Sequence, residues 1–451
     1  MEVSLCPHPV RFDMLKLLLQ PGVLGITLAA AGILAITMGS RQSMGLFLGP
    51  MNTSTGLGIT TLSLAMAVGQ FVWGAFQPVA GAAADRWGPR PVLWAGLIIM
   101  ALGTALTPLA TSAWSMVLVL GVMTAIGSGS SSFSVLMGAA AQRMSSTARG
   151  AASGVINAGG SFGQFVFAPV TQKLIQSLGW MGALWTLALM TLAALPLVGY
   201  VTRRSNSESS TLSPPDAAPG SSSIEAAPDR AQVGVEAAPT GSPEVAQASG
   251  PWAAILLAMK DPSYLLLHAG FFTCGFHISF LVTHLPNEVS LCGLPPTVAS
   301  WSLAIIGLAN IAGSLYAGSC VARYRSKMVL AWMYGARAVA IVLYLLAPKT
   351  PITFYLFAVA LGFTWLATVP PTAAIVGKLF GVRYLATLFG LTLLSHQIGG
   401  FLGAWLGGQS VTAFGDYQWM WWADIALAAA AALVNLPIRE ARITAPAAAA
   451  S

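Results

Sequence analysis

Hydrophobic residues fill long runs along most of this chain, and charged residues gather in the short gaps between them. Runs long enough to cross a bilayer as helices, about 20 residues each, fall at 22–47, 59–83, 91–110, 114–140, 149–175 and 180–201. Six more follow at 263–285, 297–321, 328–347, 352–377, 384–413 and 418–438. Glycine and proline inside these runs do not argue against helices, because membrane helices tolerate both. The pattern predicts an all-α polytopic membrane protein of twelve transmembrane helices.

Two echoes divide the twelve into related halves. The loop Gly81-Ala82-Ala83-Ala84-Asp85-Arg86-Trp87-Gly88-Pro89-Arg90 has a decayed copy in which Gly318 stands for Gly81, Arg323 for Arg86 and Lys327 for Arg90. At nearly the same offset, Gly154 and Gly163 in a run opened by Arg149 match Gly390 and Gly399 in a run opened by Arg383. Parallel repeats of this length are a transporter organisation. The expected layout is an N-terminal segment 1–20, a six-helix bundle 21–202, a linker 203–250, a second bundle 251–438 and a tail 439–451.

Composition agrees, since 56% of residues are hydrophobic and 8% charged, too little charge to solvate a soluble surface. Basic residues are retained on the cytoplasmic side of short loops. With both termini cytoplasmic, seventeen of the 21 Lys and Arg fall on that side, so the net charge of +7 reflects topology in a cytoplasmic membrane. No basic patch with interleaved aromatics points to a nucleic acid. Residues 1–20 run into the first span without a small-residue cleavage site, so no cleaved targeting peptide is expected. The linker is rich in Ser, Pro and Ala, has no apolar period, and reads as disordered. Cys6, Cys274, Cys292 and Cys320 have no metal-ligand spacing, so neither a metal nor a disulfide framework is expected. Nucleophile-elbow, zincin and Walker runs are missing, which argues against an enzyme and against a cofactor.

The six-plus-six layout with its G-x-x-x-D-R-x-G-x-R loop resembles the major facilitator superfamily. Arg149 to Gly154 with Ala158-Gly159-Gly160, Gly163 and Pro169 is similar to the arginine-led, glycine-rich fifth helix of the monocarboxylate porters and their bacterial relatives, including the oxalate and formate exchangers. So is Ser395-His396-Gln397-Ile398-Gly399-Gly400-Phe401-Leu402-Gly403 in span 11. The resemblance implies a monomeric secondary transporter working by rocker-switch alternating access. It also implies a conformational loop at Gly81, Asp85, Arg86, Gly88 and Arg90, with Asp85 against the start of span 11 near 383–386. Arg323 and Lys327 would serve the second half more weakly, because Ala322 replaces the acid.

Glycines four apart line one helix face and permit close backbone approach, so Gly154, Gly159, Gly163, Gly399 and Gly403 are packing candidates where the halves would rock. Pro370-Pro371 in span 10 must interrupt the helical ladder and free carbonyls that a cavity or neighbouring protein has to satisfy. Gln77-Pro78 and Ser128 to Ser132 are similar polar lesions.

Ionisable groups inside the membrane are functional candidates, because burying them is costly. Arg41 in span 1 keeps its charge, and lies within one position of a basic residue in the porters' first helix. His277 and His284 in span 7 are two turns apart and share a face, while His268 points away from them. His396 lies near mid-depth in span 11, where the exchangers carry a basic group. Asp424 is the one acid placed inside a span, and Arg337 in span 9 is its expected structural partner. Where the porters carry an acid and an arginine in span 8, this chain offers Asn310. The resemblance therefore does not carry proton-coupled symport with it. A small organic anion held by Arg41, His277, His284, His396 and Asn310 is expected, with a proton that a histidine near neutral pH could carry. Two alternatives stay open. One is export of a more hydrophobic metabolite or drug, given Trp73, Phe76, Phe276, Phe280, Trp301 and Trp365 in candidate cavity helices. The other is a non-transporting membrane sensor.

Overall fold

Backbone amides facing lipid must find partners inside their own helix, and the described chain is helical apart from short connections. The computed structural model describes residues 21–144, 146–203, 245, 250–321, 323–381 and 383–440. The N-terminal segment, nearly all of the linker, Ala322 and the tail beyond Glu440 lie outside the described residues. The helices are α1 (Gly22–Thr55), α2 (Ile59–Trp87), α3 (Pro89–Leu109) and α4 (Ala113–Ala141), then α5 (Ser146–Leu192) and α6 (Leu195–Thr202). The second half holds α7 (Pro262–Leu291), α8 (Pro296–Val321), α9 (Ser326–Leu346), α10 (Pro351–Phe380), α11 (Leu385–Phe414) and α12 (Gln418–Asn435).

Nine helices among the described residues are long and apolar enough to span a membrane. One of the nine runs through α5 and α6 and covers two expected spans, separated at Gly179, where φ is 71°. Glycine adopts that left-handed conformation without steric cost. α11 and α12 stand where the last two runs were expected. Large apolar side chains cover the outer surface, Trp114 at 84% exposed and Leu346 at 79%, and lipid rather than water is the solvent that suits them.

Each half has its own core. In the first half, Leu34, Leu97, Leu136 and Val198 form one cluster and Leu48, Met116 and Leu184 another. The second half packs around Tyr264, Leu303, Ile341 and Trp421. The repeat glycines serve these cores. A Cβ on Gly163 would lie 2.1 Å from the Ala35 carbonyl oxygen, and one on Gly159 2.7 Å from that of Ala31, so both glycines seat α5 on α1. Gly399 and Gly403 do the same for α11 on α7, against the carbonyls of Phe272 and Phe276 at 2.0 and 2.1 Å. These contacts lie within a half, not between the halves as expected, and Gly154 faces open space. The glycines at the seam between halves are Gly45, Gly74, Gly307, Gly400 and Gly408, which meet Val282, Gln397, Ser161, Gln70 and Ser63.

The two ends of the bundle differ. Four hydrogen bonds join the halves among the described residues. Thr60 meets Thr412 (2.8 Å) and the Gly408 carbonyl (3.4 Å), Gln70 donates to Gln397 (2.9 Å), and Asn310 donates to Ser161 Oγ (2.8 Å). All lie from mid-depth toward the end away from the Asp85 loop. At the loop end, Asp85, Arg86 and Arg90 are exposed. Asp85 has no hydrogen bond or ion pair among the described residues, so the expected contact with the start of α11 is not made. Gly88, at φ 84°, turns the chain from α2 into α3, and Gly81 has room around it. The hydrogen bonds across the seam among the described residues thus close the far end.

The second-half loop is braced from an unexpected source. Glu440, just after α12, accepts hydrogen bonds from the Ser326 and Lys327 amides (2.8 and 2.9 Å) and pairs with Lys378 (2.6 Å). Burial alone would raise this carboxyl, but those donors outweigh it and hold it below its ordinary 4.5. Lys327 caps the end of α12 through the Leu436 and Ile438 carbonyls (2.7 and 2.9 Å), and Arg323 is exposed.

Candidate functional site

Between the halves lies a cavity of about 1000 Å³, including its open part, with walls drawn from α1, α2, α3, α4, α7, α10 and α11. Breaks in the helices make room for it. α4 carries a π-helical stretch at Val117–Met123 and leaves helical geometry at Ser131, and such wide turns cluster at functional sites. α10 stops at Trp365 and resumes at Val369 with its proline pair in the first turn. The prolines thus open the restarted half-helix, where their missing amides cost nothing.

Arg41 and His396 are the cationic or protonatable groups in the wall, and no Asp or Glu stands among the lining residues. Arg41 Nη2 donates to Gln70 Oε1, and the guanidinium lies over the Trp73 ring, 4.2 Å from its centroid. Gln70 in turn donates across the seam to Gln397. His396 packs on Phe271 at 5.2 Å between centroids, and its Nδ1 has no partner. Met38, Met44, Met66 and Met100 with Trp73 and Trp365 make most of the remaining wall apolar, and Thr104, Thr124, Ser128, Ser279 and Thr283 add hydroxyls.

Three expected ligands stand elsewhere. His284 is fully buried and satisfied, with Nε2 donating to the Ala404 carbonyl (2.7 Å) and Nδ1 accepting from Tyr417 (3.0 Å). His277 is also fully buried and bonds Asp424, while its neighbours Ile278 and Ser279 face the cavity. The two histidines do share a face, but that face turns inward to the second half. Asn310 donates to Ser161 and accepts from the Leu366 amide (3.0 Å), so it is committed to the seam and to the broken end of α10. His268 bonds Ser395 (2.6 Å) away from the cavity.

The expected Arg337–Asp424 pair is corrected as well. Arg337 donates to the Thr364 and Trp365 carbonyls (2.5 and 3.3 Å), and Asp424 takes His277 instead. The break in α10 explains the exchange. It exposes carbonyls at the negative end of a half-helix, inside protein where no water can serve them, and a buried guanidinium answers both the dipole and the hydrogen bonds. Asp424 is also not the single acid inside a helix, because α7 continues past its expected end and carries Glu288, bound by Tyr344 and Trp421 (2.8 and 3.3 Å).

Of the named aromatics, Trp73 and Trp365 line the cavity, Phe276 and Phe280 belong to the second-half core, and Trp301 is exposed. Gln70 and Gln397 were missed. Their signal, mid-span carboxamides, was present but is not ionisable.

This chain is similar over 365 residues, at 26% identity, to monocarboxylate transporter 13 of Rattus norvegicus, an alignment covering 79% of this chain and 73% of that one. In structure it resembles a D-xylose–proton symporter (TM-score 0.69, 13% identity, 92% of this chain and 98% of that one). It also resembles a bacterial homologue of the human lysosomal transporter Spinster in an inward-facing, unoccupied conformation (TM-score 0.65, 15% identity, 93% and 95%). The family model of the Major Facilitator Superfamily matches residues 30–295 and 289–451. With its helical halves, its central cavity and these relatives, the chain belongs to the Major Facilitator Superfamily and is a multi-pass membrane transporter of the monocarboxylate-transporter-like branch.

Proposed function

We propose that the protein carries a small organic anion across the cytoplasmic membrane by alternating access, with the carboxylate on Arg41 and His396. One observation carries this reading: the wall of the inter-half cavity holds these two groups and no carboxylate. In so apolar a lining, an uncompensated guanidinium attracts an anion strongly. The methionines and Trp73 support a cargo with an apolar body behind its carboxylate, since thioethers adapt to irregular apolar shapes. The seam hydrogen bonds lie away from the loop end, which its basic residues place in the cytoplasm, and this supports an inward-facing arrangement.

The same lining favours a second reading, export of a larger hydrophobic compound, for which Arg41 would be dispensable. Counterflow in proteoliposomes separates the two. A panel of labelled short-chain, branched and aromatic carboxylates should include one that exchanges, and uncharged isosteres such as the matching amides should not. Equal exchange of acid and amide would overturn the anion reading.

A further inference from the structure

The two sides of the cavity offer different chemistry. On the first-half side, the hydroxyls of Thr104, Thr124 and Ser128 all donate to carbonyls of their own helices, those of Met100 (2.8 Å), Leu120 and Ala125 (3.2 Å). Hydroxyls turned back in this way leave no free donor for a ligand. On α7 the case is reversed. Ser279 and Thr283, one turn apart, line the cavity with hydroxyls that make no hydrogen bond among the described residues. They stand beside the charge, because a Cβ on Gly45 would lie 2.1 Å from the Val282 carbonyl oxygen. That contact sets the turn of α1 after Arg41 against the turn of α7 after Ser279.

The first-half side is apolar as well as short of donors. Met38 of α1, Met66 of α2, Leu120 of α4 and Met100 of α3 wall it. α3 reaches the cavity because glycines hold it close to α4. A Cβ on Gly127 would lie 2.4 Å from the Met100 amide nitrogen, and one on Gly103 2.9 Å from that of Thr124. Thr124 follows directly on the π-helical stretch of α4. Met100 is 2% exposed and Leu120 5%, so what surface they keep is the part that faces the cavity. With its backbone wedged against Gly127, Met100 can yield only through its flexible thioether side chain.

Such a wall gains from every methylene it covers and penalises a polar group, which it would leave unpaired. We infer that Met66, Met100 and Leu120 form the pocket for the apolar body of the cargo, and that Met100 sets the length of body admitted. The cargo is then an amphipathic carboxylate, with its charge on Arg41 at the α1–α7 side and its hydrocarbon body directed into the first half toward α3. Ser279 and Thr283 serve the charged end and have no part in the length limit. The position of the charge rests on the anion reading above, whereas the length limit stands on the wall itself.

Calorimetry on the purified full chain with the linear acids from acetate to octanoate tests this. Affinity should rise roughly fourfold with each methylene until the chain meets the wall, and then stop rising. Met100→Ala should move that stop roughly two to three methylenes further, into the room left by Cγ, Sδ and Cε. Leu102→Ala, at an exposed position of the same helix, should leave it in place. Ser279→Ala should weaken all the acids by the same factor without moving the stop. A stop that stays in place in a folded Met100→Ala, or that Leu102→Ala moves as far, would overturn the inference. Thermal melts report folding, and if Met100→Ala does not fold, Met66→Ala, at a half-buried position, is judged by the same criterion. A stop that Ser279→Ala moves and Met100→Ala does not would direct the body into the second half and overturn it too. The matching primary amides separate the two readings. Acids that outbind their amides, with an unmoved stop, keep the anion site and remove the pocket. Acids and amides that bind alike, with a stop that Met100→Ala moves, keep the pocket and remove the anion site.

Discussion

Replacing Arg41 is the sharpest test of the cavity. Its guanidinium rests on Gln70 Oε1 and over Trp73, so an arriving carboxylate exchanges a neutral acceptor for a charged one while the ring contact persists. Hydrogen bonds to charged groups contribute about 1.5–3 kcal/mol, and about 1.4 kcal/mol corresponds to a tenfold change in affinity. Arg41→Ala should therefore raise the half-saturating substrate concentration in counterflow roughly 10- to 150-fold. Arg41→Lys should recover part of this, because a lysine keeps the charge but loses the planar fork and the stack on Trp73. Arg41→Gln is the structural control, since its carboxamide can still serve Gln70 without supplying charge. Counterflow with labelled carboxylate in proteoliposomes reads the affinity, and thermal melts confirm folding. Unchanged affinity in a folded Arg41→Gln would falsify the anion site.

Other predictions test the frame around the cavity. Gln397→Leu removes a hydrogen bond across the seam while leaving Gln70 on Arg41. A net contribution of about 0.5–1.5 kcal/mol means a roughly 2- to 13-fold shift away from the far-end-closed state, read as cysteine labelling from that side; unchanged labelling would show that the bond does not hold the seam. Gly403→Ala places a Cβ 2.1 Å from the Phe276 carbonyl oxygen and should cost about 1–3 kcal/mol by overpacking, whereas Gly154→Ala meets open space and should be neutral. Similar melting temperatures for the two variants would contradict the packing argument. Glu440→Gln should lower thermal stability at neutral pH by about 1.5–3 kcal/mol. Because the folded carboxyl sits below its ordinary 4.5, its contribution is complete above that pH and fades as pH falls through the folded value. The gap between wild type and variant should thus close on acidification, and a gap constant with pH would assign the effect to packing.

Hydrophobic run length and the repeat were enough to read the helical halves, because lipid imposes the same rule on every span. The break in α10 was legible too, from its proline pair. Arg41 and His396 were legible as cavity groups because an ionisable residue in a mid-span position has few cheap places to go. Helix faces were harder. The shared face of His277 and His284 follows from spacing alone, but the spacing gives no sign of which neighbour that face meets, and here it meets α11 and α12.

Partner choice was least legible, and the exchange at Arg337 shows why. Charge complementarity pairs Arg337 with Asp424 when the chain is read as twelve continuous cylinders. Once α10 breaks, the carbonyls of Thr364 and Trp365 compete for the same guanidinium. Those carbonyls cannot move to water, whereas Asp424 has a second suitor in His277 on the helix it packs against. Each acceptor left bare inside the bundle costs about 1–3 kcal/mol, and more if charged, so the arrangement serving both the broken helix and the acid wins over the direct ion pair that would strand the carbonyls. The proline pair was visible in the sequence, and so was the need for a donor at the break. What spacing along the chain cannot supply is the distance from α9 to that break, and on that distance the identity of the donor depends.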